Sequence, residues 1–303
     1  MSEILPNFLV VGAAKSGTTS LYYYLIQHPE IGLSSKKEGK FFSQMPDKFN
    51  GPGDDLVKES ITRTFEDYQK LYTHITDEKA IGDISPDYLY FHENSINNIK
   101  SYLGSEVKII IILRNPADKT FSQYSHLVRD GRETLSFEQA LEEEENRIEQ
   151  GWEWTWHYKN SSLYYKQVKA YLDTFGNERV YIILNEELRY KPTDIIKDTF
   201  KFLKINEDFV PDMSMKWNST KTFQSESFNR FITNHDHPLK KLFRPILLNT
   251  IGKNYTEALV NFFKDKNTSR MRKQTRAYLS AFYKNDIIML QDLLKRDLSA
   301  WLK

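Results

Sequence analysis

A chain of 303 residues, 40% hydrophobic and 27% charged, carries enough apolar mass for one large α/β domain with a buried core, which excludes a disordered or fibrous polymer. Its 42 Lys and Arg stand against 41 Asp and Glu, so no global field draws it to nucleic acid or to an anionic membrane, and any anion site is local. The absence of cysteine excludes disulfide frameworks, thiolate metal sites and cysteine nucleophiles.

Along the chain, Met1 to Pro6 has neither a basic nor an apolar leader region. The longest aliphatic run, Ile109 to Leu113, is far below the ~20 residues of a membrane span. A cytoplasmic chain with a single domain over residues 1–303 is the expectation. Phe8 to Val11 reads as a buried strand that stops at Gly12, and Thr18 to Gln27 then has helical spacing with Leu21, Leu25 and Ile26 on one side. Ala80 to Asp83, Val107 to Leu113 and Val180 to Leu184 are further buried strands, separated by segments long enough for crossover helices. That alternation predicts a parallel wound sheet flanked by helices. Pro116 opens a helix over Ala117 to Val128, and Ser136 with Gln139 forms a capping box for a helix through Glu149. Leu163 to Phe175 and Ile195 to Leu203 read as helices, and Arg276 to Leu302 as a long closing one. Asn50 to Asp55 and Pro211 to Ser227 read as polar loops.

Gly12-Ala13-Ala14-Lys15-Ser16-Gly17-Thr18-Thr19 lies between the first strand and its helix, where backbone N–H groups and the positive helix end converge on an anion. It is not the nucleoside triphosphatase loop, which needs Gly-Lys-[Ser/Thr] in that order; here the lysine precedes Ser16-Gly17. The next long strand ends in Arg114 rather than in an acid that would hold magnesium, so protein cations rather than a metal meet the ligand's charge. Arg114, with Ser122 two turns into the following helix, offers a planar fork and a hydroxyl for a second phosphate. The alternative is that Arg114 pairs with Asp118. A nucleotide with phosphates at two separate positions explains both sites together.

These segments resemble the sulfotransferases that use 3′-phosphoadenosine 5′-phosphosulfate (PAPS). Their first signature matches Lys15-Ser16-Gly17-Thr18-Thr19-Ser20-Leu21, and their second matches Arg114-Asn115-Pro116 with Ser122 and Tyr124. The likeness continues through Lys37-Glu38-Gly39-Lys40-Phe41-Phe42, Gly82 to Tyr88, Leu163-Tyr164 with Gln167, Glu186-Glu187-Leu188 and Arg296 to Trp301. The resemblance implies a P-loop-kinase-like three-layer sulfotransferase fold without metal. It places Lys15, Ser16, Gly17, Thr18, Thr19 and Ser20 on the 5′-phosphosulfate, and Arg114 and Ser122 on the 3′-phosphate, with adenosine 3′,5′-bisphosphate (PAP) as product.

By the same resemblance Lys15 neutralises the leaving phosphate and Glu38 is the candidate base, beside Phe41 and Phe42, whose rings would leave a carboxylate poorly hydrated. The plainer reading of Glu38 is an ion pair with Lys36, Lys37 or Lys40. His126, one turn beyond Ser122, is the rival base. Two departures stand out. Heparan-type members carry a lysine where this chain has Ile84, and their basic late loop corresponds to Lys216 to Thr222, where Lys221 is the candidate contact. Trp152, Trp154, Trp156 and Tyr158 alternate, so in an extended segment they would share a face for stacking on a sugar or lining an apolar groove, or would pack on the core. Glu142 to Glu145 reads as a solvated acidic face. The expected partner is a small-molecule or glycan acceptor, a hydroxyl of a glycan, lipid or polyketide-like chain. A small-molecule kinase, which needs magnesium, and a non-catalytic nucleotide-binding scaffold are the competing functions.

Overall fold

The computed structural model describes residues 4–214 and 270–303. Five strands, β1 (Phe8–Gly12), β2 (Ile31–Leu33), β3 (Ala80–Ile84), β4 (Lys108–Leu113) and β5 (Val180–Leu184), form a sheet in the order β2-β3-β1-β4-β5. Every pairing is parallel, with Phe8 beside both Gly82 and Lys108 and Ile109 beside Val180. The helices are α1 (Thr18–Leu25), α2 (Asp54–Ser60), α3 (Phe65–Lys70), α4 (His92–Leu103), α5 (Pro116–Arg129), α6 (Phe137–Glu142), α7 (Glu144–Glu149), α8 (Tyr165–Phe175), α9 (Asn185–Tyr190), α10 (Pro192–Leu203) and α11 (Lys273–Leu294).

Side chains alternate across the sheet, which is why the strands read as continuous apolar runs: both faces are covered. Phe8, Val10, Ile110 and Ile112 pack with α1 and α10. Leu9, Val11, Ile109 and Ile111 face the other way, onto α4, α5, α8 and α11. The fold is therefore three-layered and P-loop-kinase-like. After β1 the chain passes to one face and after β4 to the other, so the loops at their carboxyl ends part and open a crevice, the usual ligand position in wound sheets.

Several expectations shift. The short strand β2 went unforeseen, because three residues between His28 and Ser34 carry too little periodicity to register. The capping box at Ser136 forms, but the helix turns at Glu143 into α6 and α7. The closing helix ends at Leu294, with Lys295 left-handed (φ 51°), and the chain finishes in a 3₁₀ turn at Ser299–Leu302. Asp54, expected in a polar loop, begins α2 and is buried, accepting from the Glu153 N–H at 2.9 Å and the Trp156 indole at 3.0 Å.

The acidic run is not simply a solvated face. Glu144 is fully buried and accepts from the N–H groups of Lys159 (2.7 Å) and Asn160 (2.8 Å) and from the Asn160 amide (3.0 Å). Nor is the tryptophan segment extended. It winds through 3₁₀ turns at Trp154–Trp156 and Asn160–Ser162, so its aromatics share no single face. Trp156 and Tyr158 enter the main core, Trp152 stands edge-on to Trp156, and Trp154 joins a small cluster with Met45 and Ile61. The Pro211 to Ser227 loop lies largely outside the described residues.

Candidate active site

The turn from β1 into α1 is shaped by Gly12, whose missing Cβ leaves room for the Leu89 Cβ and Pro86 carbonyl, and by Gly17, left-handed at φ 113°. Lys15 is also left-handed, at φ 63°. Two neighbours hold this loop by its carbonyls. Arg114, at the end of β4, donates to the Lys15 carbonyl at 3.0 Å, and Asn185, at the end of β5, donates to that of Ser16 at 2.7 Å. The Lys15 and Ser16 carbonyls are thus turned to protein donors, while the N–H groups of Ala13 and Ser16 donate to the Ile112 (2.7 Å) and Ala13 (3.3 Å) carbonyls.

Lys15, Ser16, Gly17, Thr18 and Thr19 are therefore brought together with Arg114, while Ser20 is buried in the first turn of α1. Burial, then the charges of Arg129 and Arg114 against those of Asp130 and Glu38, lowers the Lys15 ammonium to about 8. The Ser16 hydroxyl is buried without a hydrogen-bond partner among the described residues, and the Tyr164 hydroxyl lies beside it. A buried hydroxyl whose neighbour is the Tyr164 hydroxyl, next in sequence to a lysine of lowered pKa that an arginine holds by its carbonyl, suits a phosphorylated ligand. The Arg114–Asp118 alternative does not form: Asp118 pairs with Arg276 on α11. Ser122 is half-buried on α5, two turns past Arg114.

Glu38 sits in the loop after β2, left-handed at φ 63° and anchored by its N–H to the Ile84 carbonyl at 3.1 Å. Phe41 and Phe42 turn away into an aromatic core with Tyr68, Tyr88 and Tyr102. The Glu38 carboxylate instead meets Lys37 at 3.0 Å, and the same ammonium donates to the Thr19 hydroxyl at 3.1 Å. The ion-pair reading of Glu38 thus holds, with Lys37 rather than Lys36 or Lys40, yet the pair lies on the cradle itself.

His126 is placed differently. Arg129 donates to its Nδ1 at 2.9 Å, so that lone pair is occupied and the ring is neutral. Burial first, then Lys15 and Arg129, pushes the imidazole down to about 3. Ile84 is 2% exposed in the core against α1. Lys221 lies outside the described residues.

Sequence reasoning missed two contributors. Asn185 carried a weak signal, a polar residue ending the apolar run of β5. Lys119 is 1% exposed on α5 and bonds Gln123 (2.8 Å) and Ser161 (2.5 Å), with burial lowering it to about 7. The resemblance at the chain's end acquires a reason. Arg296 donates to the Ile182 carbonyl at 3.0 Å and pairs with Glu187, and the Trp301 carbonyl accepts from Asn115 at 3.3 Å, next to Arg114. Among the described residues no cluster of His, Asp and Glu has the arrangement of a metal site.

The fold is a parallel α/β sheet whose first strand-to-helix turn lies beside an arginine and within one lysine's reach of a carboxylate. The chain belongs to the sulfotransferase family: the sulfotransferase domain model matches residues 5–275. A crystal structure of a sulfotransferase from Alicyclobacillus acidocaldarius superposes with a TM-score of 0.79 at 37% identity, covering 99% of this chain and 100% of that one. The membrane-associated sulfotransferase kil1 of Dictyostelium discoideum is 36% identical over 151 residues, 48% of this chain and 29% of its own length. The bifunctional heparan sulfate N-deacetylase/N-sulfotransferase 3 of Mus musculus is 25% identical over 99% of this chain and 31% of its own length. The chain thus spans under a third of these two curated relatives. No helix among the described residues is long and apolar enough to cross a membrane.

Proposed function

We propose that this sulfotransferase takes its sulfuryl group from PAPS and passes it to an acceptor hydroxyl by in-line displacement, in a single domain acting in the cytoplasm. The observation that carries the reading is the bond from Arg114 to the Lys15 carbonyl, which fastens the two anion-binding segments side by side at one crevice. Lys15, Ser16, Gly17, Thr18, Thr19 and Ser20 cradle the 5′-phosphosulfate, and Arg114 with Ser122 receives the 3′-phosphate. Lys221 is retained as a further contact to the nucleotide. Glu38 accepts the acceptor's proton as the new O–S bond forms. The bond from sulfur to the bridging oxygen breaks, its electron pair stays on the 5′-phosphate of PAP, and Lys15 stabilises that charge. His126 is the weaker base, because its Nδ1 is engaged by Arg129.

The acceptor is a glycan, lipid or polyketide-like alcohol. An amine is the second reading, favoured by the N-sulfotransferase activity named for the mouse relative. Calorimetry with PAP, alongside ATP and magnesium, tests the donor. Metal-independent PAP binding that is lost in Lys15→Ala supports the reading, and preference for ATP with magnesium overturns it. Glu38→Gln is expected to keep PAP affinity within threefold while slowing turnover by about 10²–10⁴.

A further inference from the structure

We propose that Lys37 is a positioning residue that couples the donor cradle to the base, an inference that rests on the sulfotransferase reading above. One ammonium joins the two halves of the site: Lys37 Nζ stands 3.1 Å from Thr19 Oγ1 and 3.0 Å from Glu38 Oε1. Its side chain is 26% exposed and that of Glu38 35%, so the group reaches solvent but is held between two partners.

An ammonium only donates, and that fixes the orientation of both partners. Thr19 Oγ1 must accept from Lys37, which leaves the threonine's own proton free to point at an anion on the loop. Glu38 Oε1 is occupied by Lys37, which leaves Oε2 as the oxygen that receives a proton from the acceptor. Without Lys37, both side chains regain rotamers that aim elsewhere.

The backbone supports the arrangement. Glu38 and Lys40 are both left-handed, at φ 63° and 59°, a conformation that non-glycine residues adopt only when their surroundings impose it. Three bonds impose it here: Glu38 N–H to the Ile84 carbonyl (3.1 Å), Thr62 N–H to the Gly39 carbonyl (2.9 Å) and Lys40 N–H to Ser85 Oγ (3.3 Å). The loop is set by β3 and its neighbours, and among the described residues Lys37 is what ties the Glu38 side chain to α1. Charge stabilisation of the leaving group belongs to Lys15; Lys37 acts through Thr19 and Glu38.

The test is a double-mutant cycle on the full chain, read by PAP calorimetry and by single-turnover release of PAP from bound PAPS, with water as the acceptor so that no substrate need be known. Lys37→Met is expected to weaken PAP binding three- to tenfold and to slow turnover 10- to 100-fold at an unchanged melting temperature, with Lys37→Arg restoring most of the rate. In a Glu38→Gln background Lys37→Met costs turnover less than twofold more, and in a Thr19→Val background it costs PAP affinity less than twofold more, because the partner it positions is gone. Full additivity in both backgrounds, or a Lys37→Met enzyme with the wild-type rate, overturns the coupling. A wild-type chain that does not bind PAP, or a Glu38→Gln enzyme as fast as wild type, overturns the donor or base assignment instead, and the coupling falls with it.

Discussion

Replacing Arg114 by lysine keeps the charge and removes the fork, which separates two roles that alanine would merge. Arg114 spends one donor, Nη1, on the Lys15 carbonyl at 3.0 Å, and the rest of the guanidinium remains for a phosphate. Lysine reaches as a point charge and cannot hold a loop carbonyl and a phosphate in one plane. A hydrogen bond to a charged group contributes about 1.5–3 kcal/mol. At about 1.4 kcal/mol per tenfold, loss of one such bond weakens PAP binding by roughly 10- to 150-fold. Calorimetry with PAP at constant salt measures it, with thermal melting alongside to exclude unfolding. Asp118→Ala is the control, since its carboxylate pairs with Arg276 rather than with Arg114; binding there should change less than threefold. An Arg114→Lys chain that melts normally and binds PAP within twofold of wild type would refute the argument, because charge alone would then suffice.

Lys15 titrates at about 8 in the free protein against an ordinary value of 10.5, so a bound phosphate that requires the ammonium takes up a proton above pH 8. PAP affinity is then expected to be about tenfold weaker at pH 9 than at pH 7, with binding heats that depend on the buffer; a flat profile counts against the assignment. The sign for stability follows from the same shift: between about 8 and 10.5 the folded chain binds fewer protons than the unfolded one, so Lys15 costs stability below that window and ceases to do so as pH rises through it. Glu144→Ala strands the Lys159 and Asn160 donors in a buried place. The expected loss is about 3 kcal/mol or more, seen as a fall in Tm of about 5–10 °C, and a change under 2 °C would contradict the packing argument.

The sequence by itself determined four of the sheet's five strands and the turn between the first strand and its helix. Val107 to Leu113 reads as a strand covered on both faces, and Lys15-Ser16-Gly17-Thr18-Thr19 between strand and helix reads as a turn whose donors converge. These are local facts, set by periodicity, glycine conformation and the helix end. What depended on contacts far along the chain stayed hidden. Glu144 reads as one acid in a polar run until Lys159 and Asn160 fold back over it. The tryptophans read as a strand until 3₁₀ turns scatter them into separate clusters. Arg114 read as meeting either a phosphate or Asp118, and the adjacency of β1 and β4 gives it a partner that spacing did not name, the Lys15 carbonyl. Lys37 was one of several lysines near Glu38, and its place between Thr19 and that carboxylate follows from β3 pairing with β1 on one side and β2 on the other, which brings the Glu38 loop beside α1. Spacing along a chain fixes which face a side chain takes; only the order of strands in the sheet fixes which side chains meet.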